Sequence, residues 1–125
     1  MIQTKRVYEP KSRSDGTRFL IDRLWPRGIK KEDLHVKAWL KDVAPSNELR
    51  HWYEHEPAKW PEFKRRYRAE LKKQPEAWKP ILAAARRGTV TLLYSSKETK
   101  LNNATALKEY LERKLRAKPR AASAP

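Results

Sequence analysis

The stretch TVTLLYS, residues Thr89–Ser95, decides how the rest of the chain is read. It is β-branched and apolar, is entered from Gly88, and is left through the polar run SSKET. β-branched and apolar residues between such breakers make it the clearest strand in the chain. Helical patterns flank it. Before it, EAWKPILAAARRG places Trp78, Leu82 and Ala85 on one side, with Pro80 near its start and Gly88 as a stop. After it, NNATALKEYLERKLR aligns Ala104, Leu107, Leu111 and Leu115. Strands joined through helices need crossover connections, and crossovers make parallel sheets.

Working outward, IQTKRVY (Ile2–Tyr8) alternates well enough for a first strand, ended by Pro10. KSRSDG is turn chemistry, sharpest at Asp15-Gly16. RFLIDRLW (Arg18–Trp25) holds Phe19, Leu20 and Ile21 in a row and predicts a second strand, broken by PRG. Lys30–Leu34 suits one helical turn and Val36–Leu40 a short strand. Ser46 is placed to cap a helix over NELRHWYEHE. From Trp60, WPEFKRRYRAELKK puts Trp60, Phe63, Tyr67 and Leu71 on one stripe, with Pro61 at a first helical position. The expected class is α/β: one small domain over residues 1–116, with a mainly parallel sheet of about four strands flanked by helices. Residues 117–125 are small, prolyl and basic, and are expected to form a disordered tail.

The chain has 125 residues, a length suited to one domain. Its 30 Lys and Arg against 15 Asp and Glu leave a net charge of +15. Lys118 and Arg120, even counted with Arg116, supply few of those cations, so the excess belongs to the body. Such a charge favours polyanions, nucleotides or acidic metabolites as partners. No cysteine is present, which excludes disulfides, thiolate zinc sites and cysteine nucleophiles and suits a reducing compartment. No apolar run approaches the roughly 18–20 residues of a membrane span, and MIQTKRVYEP lacks a signal-peptide core. The expected location is the cytoplasm, with no membrane partner.

In an open α/β sheet, ligands lie beyond the carboxyl ends of the strands. Parallel strands would bring RVYEP, DRLWPRG and YSSKETKLNN to one rim. Arg6, Arg18, Arg23 and Arg27 could grip a phosphate or carboxylate through their planar forks. Trp25 could wall the ligand, and Ser95 and Asn103 could bond the remainder. Asp22 is the candidate catalytic residue, either as a general base or as an orienter of an arginine. Each also has a structural reading: Asp22 or Arg23 as an ion pair between sheet and helix, and Trp25 as core. Neither a phosphate loop nor a dinucleotide fingerprint can be built from three glycines. His51 and His55 lie four apart, but lack the HExxH order and a third ligand, and read as solvent-facing. No metal or cofactor is implied. A second possibility is a nucleic-acid surface on the Trp60–Lys73 helix, through Lys64, Arg65, Arg68 and Lys72. A third is a structural or interaction protein without a ligand site.

KRVYEP, SDGTRFLIDRLWPRGIKK, APSNELRHWY, FKRRYRAEL and TLLYSSKETKLNNA occur in an order that closely resembles the YeaO-like proteins. These are a branch of the domain-of-unknown-function family 488. The likeness runs from about Ile2 to Leu115. It implies a bacterial or archaeal cytoplasmic α/β domain, and supplies no reaction. Many members of that family carry a Cys-His-Arg run after the last strand. Here the corresponding stretch is LNNA, with Asn102 and Asn103, so chemistry based on a thiol or imidazole at that place does not transfer.

Overall fold

The computed structural model describes residues 1–117. The expected tail, apart from Ala117, lies outside the described residues. Four strands form one sheet: β1 (Ile2–Arg6), β2 (Thr17–Leu20), β3 (Ala38–Trp39) and β4 (Val90–Tyr94). Their order is β1-β4-β2-β3 and every pairing is parallel. β4 therefore sits inside the sheet between β1 and β2, and all five of its residues are buried. That placement is the physical reason for its β-branched and apolar residues, the buried Thr91 hydroxyl being satisfied by the Asp15 carbonyl. The helices are α1 (Asn47–Tyr53), α2 (Trp60–Lys73), α3 (Pro75–Arg87) and α4 (Asn103–Arg116).

The two faces of the sheet are covered differently. Alternate strand residues Ile2, Phe19, Val90, Leu92 and Tyr94 enter the main core, with Ile21 just beyond β2. There they meet Leu49 and Tyr53 of α1, Phe63, Tyr67 and Leu71 of α2, Trp78 and Ile81 of α3, and Leu107 and Leu111 of α4. The residues between them, Leu20 and Leu93, face a smaller cluster of Val7 and Leu34, with Trp25, Ile29, Val36 and Trp39 packed against it. No helical residue belongs to that second cluster. The helices thus gather on one face, and irregular segments 7–16 and 22–37 cover the other.

Local chemistry explains the element ends. β2 stops at Leu20, five residues short of the expected strand, although the Ile21 N–H still donates to the Leu93 carbonyl. From Asp22 onward the chain leaves the sheet for the rim, and Pro26 brings no N–H to a ladder. β3 is only two residues, extended by bonds from Lys37 N–H to Arg18 and from Leu40 N–H to Leu20. Ser46 caps α1 through its Oγ, which accepts from Leu49 N–H. Glu70 of α2 holds that cap in turn, accepting from both Ser46 N–H and Ser46 Oγ. α1 ends earlier than its polar sequence suggests, because Glu54 (φ 48°) and His55 (φ 55°) adopt left-handed backbone.

Gly16 is required at its position. Its φ is +64°, and a Cβ there would lie 2.1 Å from the Thr89 carbonyl oxygen. The turn before β2 packs against the entry to β4 with no room for a side chain, so Asp15-Gly16 is a tertiary contact as well as a turn.

Candidate functional site

Beyond the carboxyl ends of β1, β2 and β4 lies a cleft of about 770 Å³. Three walls build it: the 22–28 loop after β2 with Tyr8, the segment from Ala44 through α1 to His55, and the loop after β4 with Asn103 of α4. Asp22 pins these together. Its Oδ2 accepts from Ser95 N–H and Ser95 Oγ, both at 2.8 Å, and its Oδ1 accepts from Asn103 Nδ2 at 3.1 Å. Its carbonyl accepts from Trp39 Nε1 at 2.7 Å. One carboxylate joins the ends of β2 and β4 to the first turn of α4.

The 22–28 loop is held at three further places. Arg23 donates through Nη2 to the carbonyls of Ala44 and Pro45, while its buried Nε has no partner among the described residues. Trp25 donates to the Ile29 carbonyl at 2.6 Å and meets Trp39 edge-on, with centroids 5.4 Å apart. Tyr8 donates its hydroxyl to the Arg27 carbonyl at 3.0 Å. Gly28 turns the chain at φ +78°. Arg27 itself is exposed, and no ion pair or hydrogen bond engages its guanidinium among the described residues.

The sequence-based site is partly assembled. Asp22, Arg23, Trp25, Arg27, Ser95 and Asn103 all line the cleft. Arg6 and Arg18 do not. Arg6 stands behind the rim, donating from Nε to the Ser96 carbonyl and from Nη2 to the Ser95 carbonyl, with its guanidinium 5.0 Å from the Tyr8 ring centroid. It shapes the loop after β4. Arg18 is buried on the sheet face away from the helices, bonded to Asp15 and to the His35 carbonyl. Lys5 also pairs with Asp15, at 2.9 Å. Burial pushes the Asp15 carboxyl up, but bonds from Lys5, Ser12 N–H and Arg18 outweigh it and hold the group below its ordinary value.

The structure adds residues to the cleft that the sequence reading leaves outside it. Arg50, His51 and His55 line it from the α1 side; Lys97, within the YSSKETKLNN stretch expected at this rim, joins them from the loop after β4. The i, i+4 histidine spacing was visible, but the left-handed turn at Glu54 takes His55 off the helix and into the cleft wall. Tyr53 fixes this wall, donating to the Leu101 carbonyl at 2.7 Å and stacking on Phe63 at 4.3 Å. Burial, and then the nearby Glu98, raise the Tyr53 hydroxyl pKa.

Four cationic side chains therefore face the cleft against two carboxylates, and both carboxylates are occupied. Asp22 takes three donors, as described. Glu98 accepts from Lys100 N–H at 2.8 Å and Leu101 N–H at 3.1 Å, and these backbone donors, Leu101 first, lower its pKa. The acids brace the walls and leave the arginines to the opening.

Asn102, in the LNNA stretch after β4, is fully buried. Its Oδ1 accepts from Thr105 N–H and its Nδ2 donates to the Glu98 carbonyl. It caps α4. Among the described residues no group of three or more His, Cys, Asp or Glu is arranged to hold a metal ion.

On α2 two of the four proposed cations, Lys64 and Arg65, are spent internally. Lys64 pairs with Glu109 at 3.3 Å, and Arg65 grips Glu62 through Nε and Nη2 at 2.8 and 2.6 Å. Arg66 shares Glu62 at 2.8 Å and lies 4.2 Å from the Trp52 ring centroid. Those two guanidinium groups pull the Glu62 carboxyl down to about 2. Arg68 and Lys72 have no ion pair among the described residues. No helix among the described residues is long and apolar enough to cross a membrane.

The chain matches the family described as "Inactive DUF488-N3 subclade" over residues 1–125. It is 46% identical over 110 residues to the "Uncharacterized protein YeaO" of Escherichia coli (strain K12), covering 88% of this chain and 96% of that protein. It is 53% identical over 70 residues to the "Uncharacterized protein Rv3073c" of Mycobacterium tuberculosis, covering 56% of this chain and 59% of the relative. No solved structure matches it. With the YeaO likeness running nearly end to end, the chain belongs to the Inactive DUF488-N3 subclade.

Proposed function

We propose that the protein binds a small anionic molecule, bearing phosphate or carboxylate, in the cleft at the strand ends, and that it does so without turnover. The observation carrying this reading is the imbalance of open charge: Arg23, Arg27, Arg50 and Lys97 line the cleft, while Asp22 and Glu98 are already bonded to N–H and O–H donors of the walls. Several cations around one hollow are costly without an anion among them, so the arrangement favours a ligand.

Three features support binding over catalysis. Ser95 Oγ is locked into Asp22 with no imidazole between them, and a serine nucleophile needs such a base. Asn102, in the LNNA stretch that the family resemblance sets against a Cys-His-Arg run, serves as a helix cap. The description of the family as inactive points the same way. In this reading Asp22 is a positioning residue and Trp25 a wall.

The test is calorimetric titration with inorganic phosphate, citrate and phosphate monoesters, repeated on an Arg27→Ala/Arg50→Ala double variant. Loss of binding in the variant at unchanged thermal stability is expected. Binding of every anion at wild-type affinity in that variant would remove the reading. The net charge of +15, together with Arg68 and Lys72 on α2, favours a second reading as a nucleic-acid surface. The internal pairing of Lys64, Arg65 and Arg66 weighs against it. Retention on single-stranded RNA that falls steeply with salt and is insensitive to the Arg27/Arg50 pair would favour α2.

A further inference from the structure

We infer that the anion is a nucleoside monophosphate, a phosphate monoester carrying an aromatic base; this inference rests on the anion-binding reading above. Size is the first argument. A cleft of about 770 Å³ falls in the range that encloses a drug-sized ligand, roughly 300–1,000 Å³. Inorganic phosphate or a small dicarboxylate would leave most of it filled with water.

Charge is the second. Four cations against two carboxylates leave the lining a formal surplus of two. A phosphate monoester carries about −1.5 to −2 at neutral pH, so one such group balances the lining. A nucleoside triphosphate would overshoot it, and among the described residues no metal-holding cluster offers relief.

The lining chemistry is the third. Aromatic rings interleave with the cations: Tyr8 and Trp25 on one wall, His51 and His55 on the other. Tyr8 is 47% exposed, and the Arg6 guanidinium stands 5.0 Å from its ring centroid. A large exposed aromatic held beside a cation at a cleft mouth is a stacking platform for a base. A sugar phosphate alone would have no use for it. A polar group for a base edge is also present. Asn103 spends Nδ2 on Asp22, and its Oδ1 accepts from no described group.

The test compares adenosine, guanosine, cytidine and uridine 5′-monophosphates with ribose 5-phosphate and inorganic phosphate, by titration calorimetry on the full chain. At least one nucleotide should bind about tenfold tighter than ribose 5-phosphate, the gain expected of one stacked base. Tyr8→Ala should erase that gain, so that the nucleotide binds the variant no tighter than ribose 5-phosphate binds the same variant. Tyr8→Phe, which keeps the ring but loses the hydroxyl bond to Arg27, should retain it. Equal affinity for ribose 5-phosphate and all four nucleotides would overturn the inference while the anion cleft stood. Absence of binding by every probe would overturn both. Loss of the gain in Tyr8→Phe would overturn stacking, showing that the tyrosine serves only to pin the 22–28 loop. Much tighter binding of a single-stranded oligonucleotide than of any monomer would pass the cleft to a polynucleotide and overturn the assignment.

Discussion

Two places in this molecule gather acids and arginines around the same sheet, and they come to opposite ends. On the face away from the helices, Asp15 draws in Lys5 and Arg18, accepts from Ser12 N–H, and is 3% exposed. At the carboxyl rim, Asp22 accepts from Ser95 and Asn103 and leaves Arg27 and Arg50 around an open cleft, with Arg23 held beside them by the Ala44 and Pro45 carbonyls. In the first, the acid neutralises the cations. In the second, the acid is satisfied by uncharged donors, so the cations remain available. What separates a structural knot from a candidate site is therefore the partner each carboxylate chooses, since residue type is shared.

The contrast is broken most severely at Asp15. Asp15→Ala leaves Lys5 and Arg18 with their charge partner removed, Arg18 being buried, and removing one member of a buried pair costs about 3–5 kcal/mol. Urea unfolding should show a loss of that order, with phosphate binding by the folded fraction unaltered. The acid dependence has a defined sign. The folded Asp15 carboxyl titrates below its ordinary value of 3.8, so its contribution is present above that pH and is lost as the pH falls through the lowered folded value. Asp15→Asn should flatten the stability curve in that acid range. An unchanged acid limb in the variant would show that the knot is not what the low pKa reports.

Asp22→Ala is expected to be milder for the fold and worse for the cleft. It strands Ser95 N–H and the Asn103 amide, at about 1–3 kcal/mol for the groups left unpaired. It also unties β2 from β4 and α4 where the walls meet. Anion affinity should fall even though the substitution removes a negative charge. If affinity rises instead, Asp22 acts as a repelling charge, and the brace described here is wrong.

How far this contrast was legible in the chain depends on the range of the contacts. β4 and the Ser46 cap follow from local patterns, and the structure places them within a residue of where the sequence does. Asp22, Arg23, Arg27, Ser95 and Asn103 share a rim because parallel strands deliver their carboxyl ends together. The same argument places Arg6 there, at the end of β1, while Arg18 joins the group only as a further arginine. What removes them is a pair of carbonyls 89 and 90 residues away in one case, and a turn that folds Asp15 back under β2 in the other. Arg50, His51 and His55 were missed because α1 reaches the rim through Ser46–Glu70 and Tyr53–Leu101 bonds, which leave no local pattern. Residues 22–25 read as the end of a strand but leave the sheet, because Asp22 and Arg23 bond to distant loops.

Arg27→Ala and Arg50→Ala sharpen the contrast from the open side. Both residues are exposed, and among the described residues Arg50 has only a bond to Asn47 at 3.2 Å, so each substitution should stay within about 0.5 kcal/mol of wild-type stability. Each should nonetheless weaken phosphate binding by roughly tenfold, the loss of one charge-assisted bond. A stability loss comparable to that of Asp15→Ala would mean that the rim arginines are as structural as Arg18.

The smallest expected effect is the most discriminating between the cleft and α2. Glu62 holds Arg65 and Arg66, and with its carboxyl drawn down to about 2 it stays ionised at any ordinary working pH. Acidification to pH 5 therefore does not release those two guanidinium groups, whereas Glu62→Gln does. The pairs lie on exposed side chains, so no measurable change in Tm is expected. If α2 were the polyanion-binding face, freeing two arginines there would tighten RNA binding and steepen its salt dependence, since each additional phosphate contact releases further counterions. With the cleft as the site, Glu62→Gln leaves both RNA retention and phosphate affinity at wild-type values, while the Arg27/Arg50 variant loses the latter. A neutral Glu62→Gln is informative because the substitution adds effective charge where the competing reading needs it.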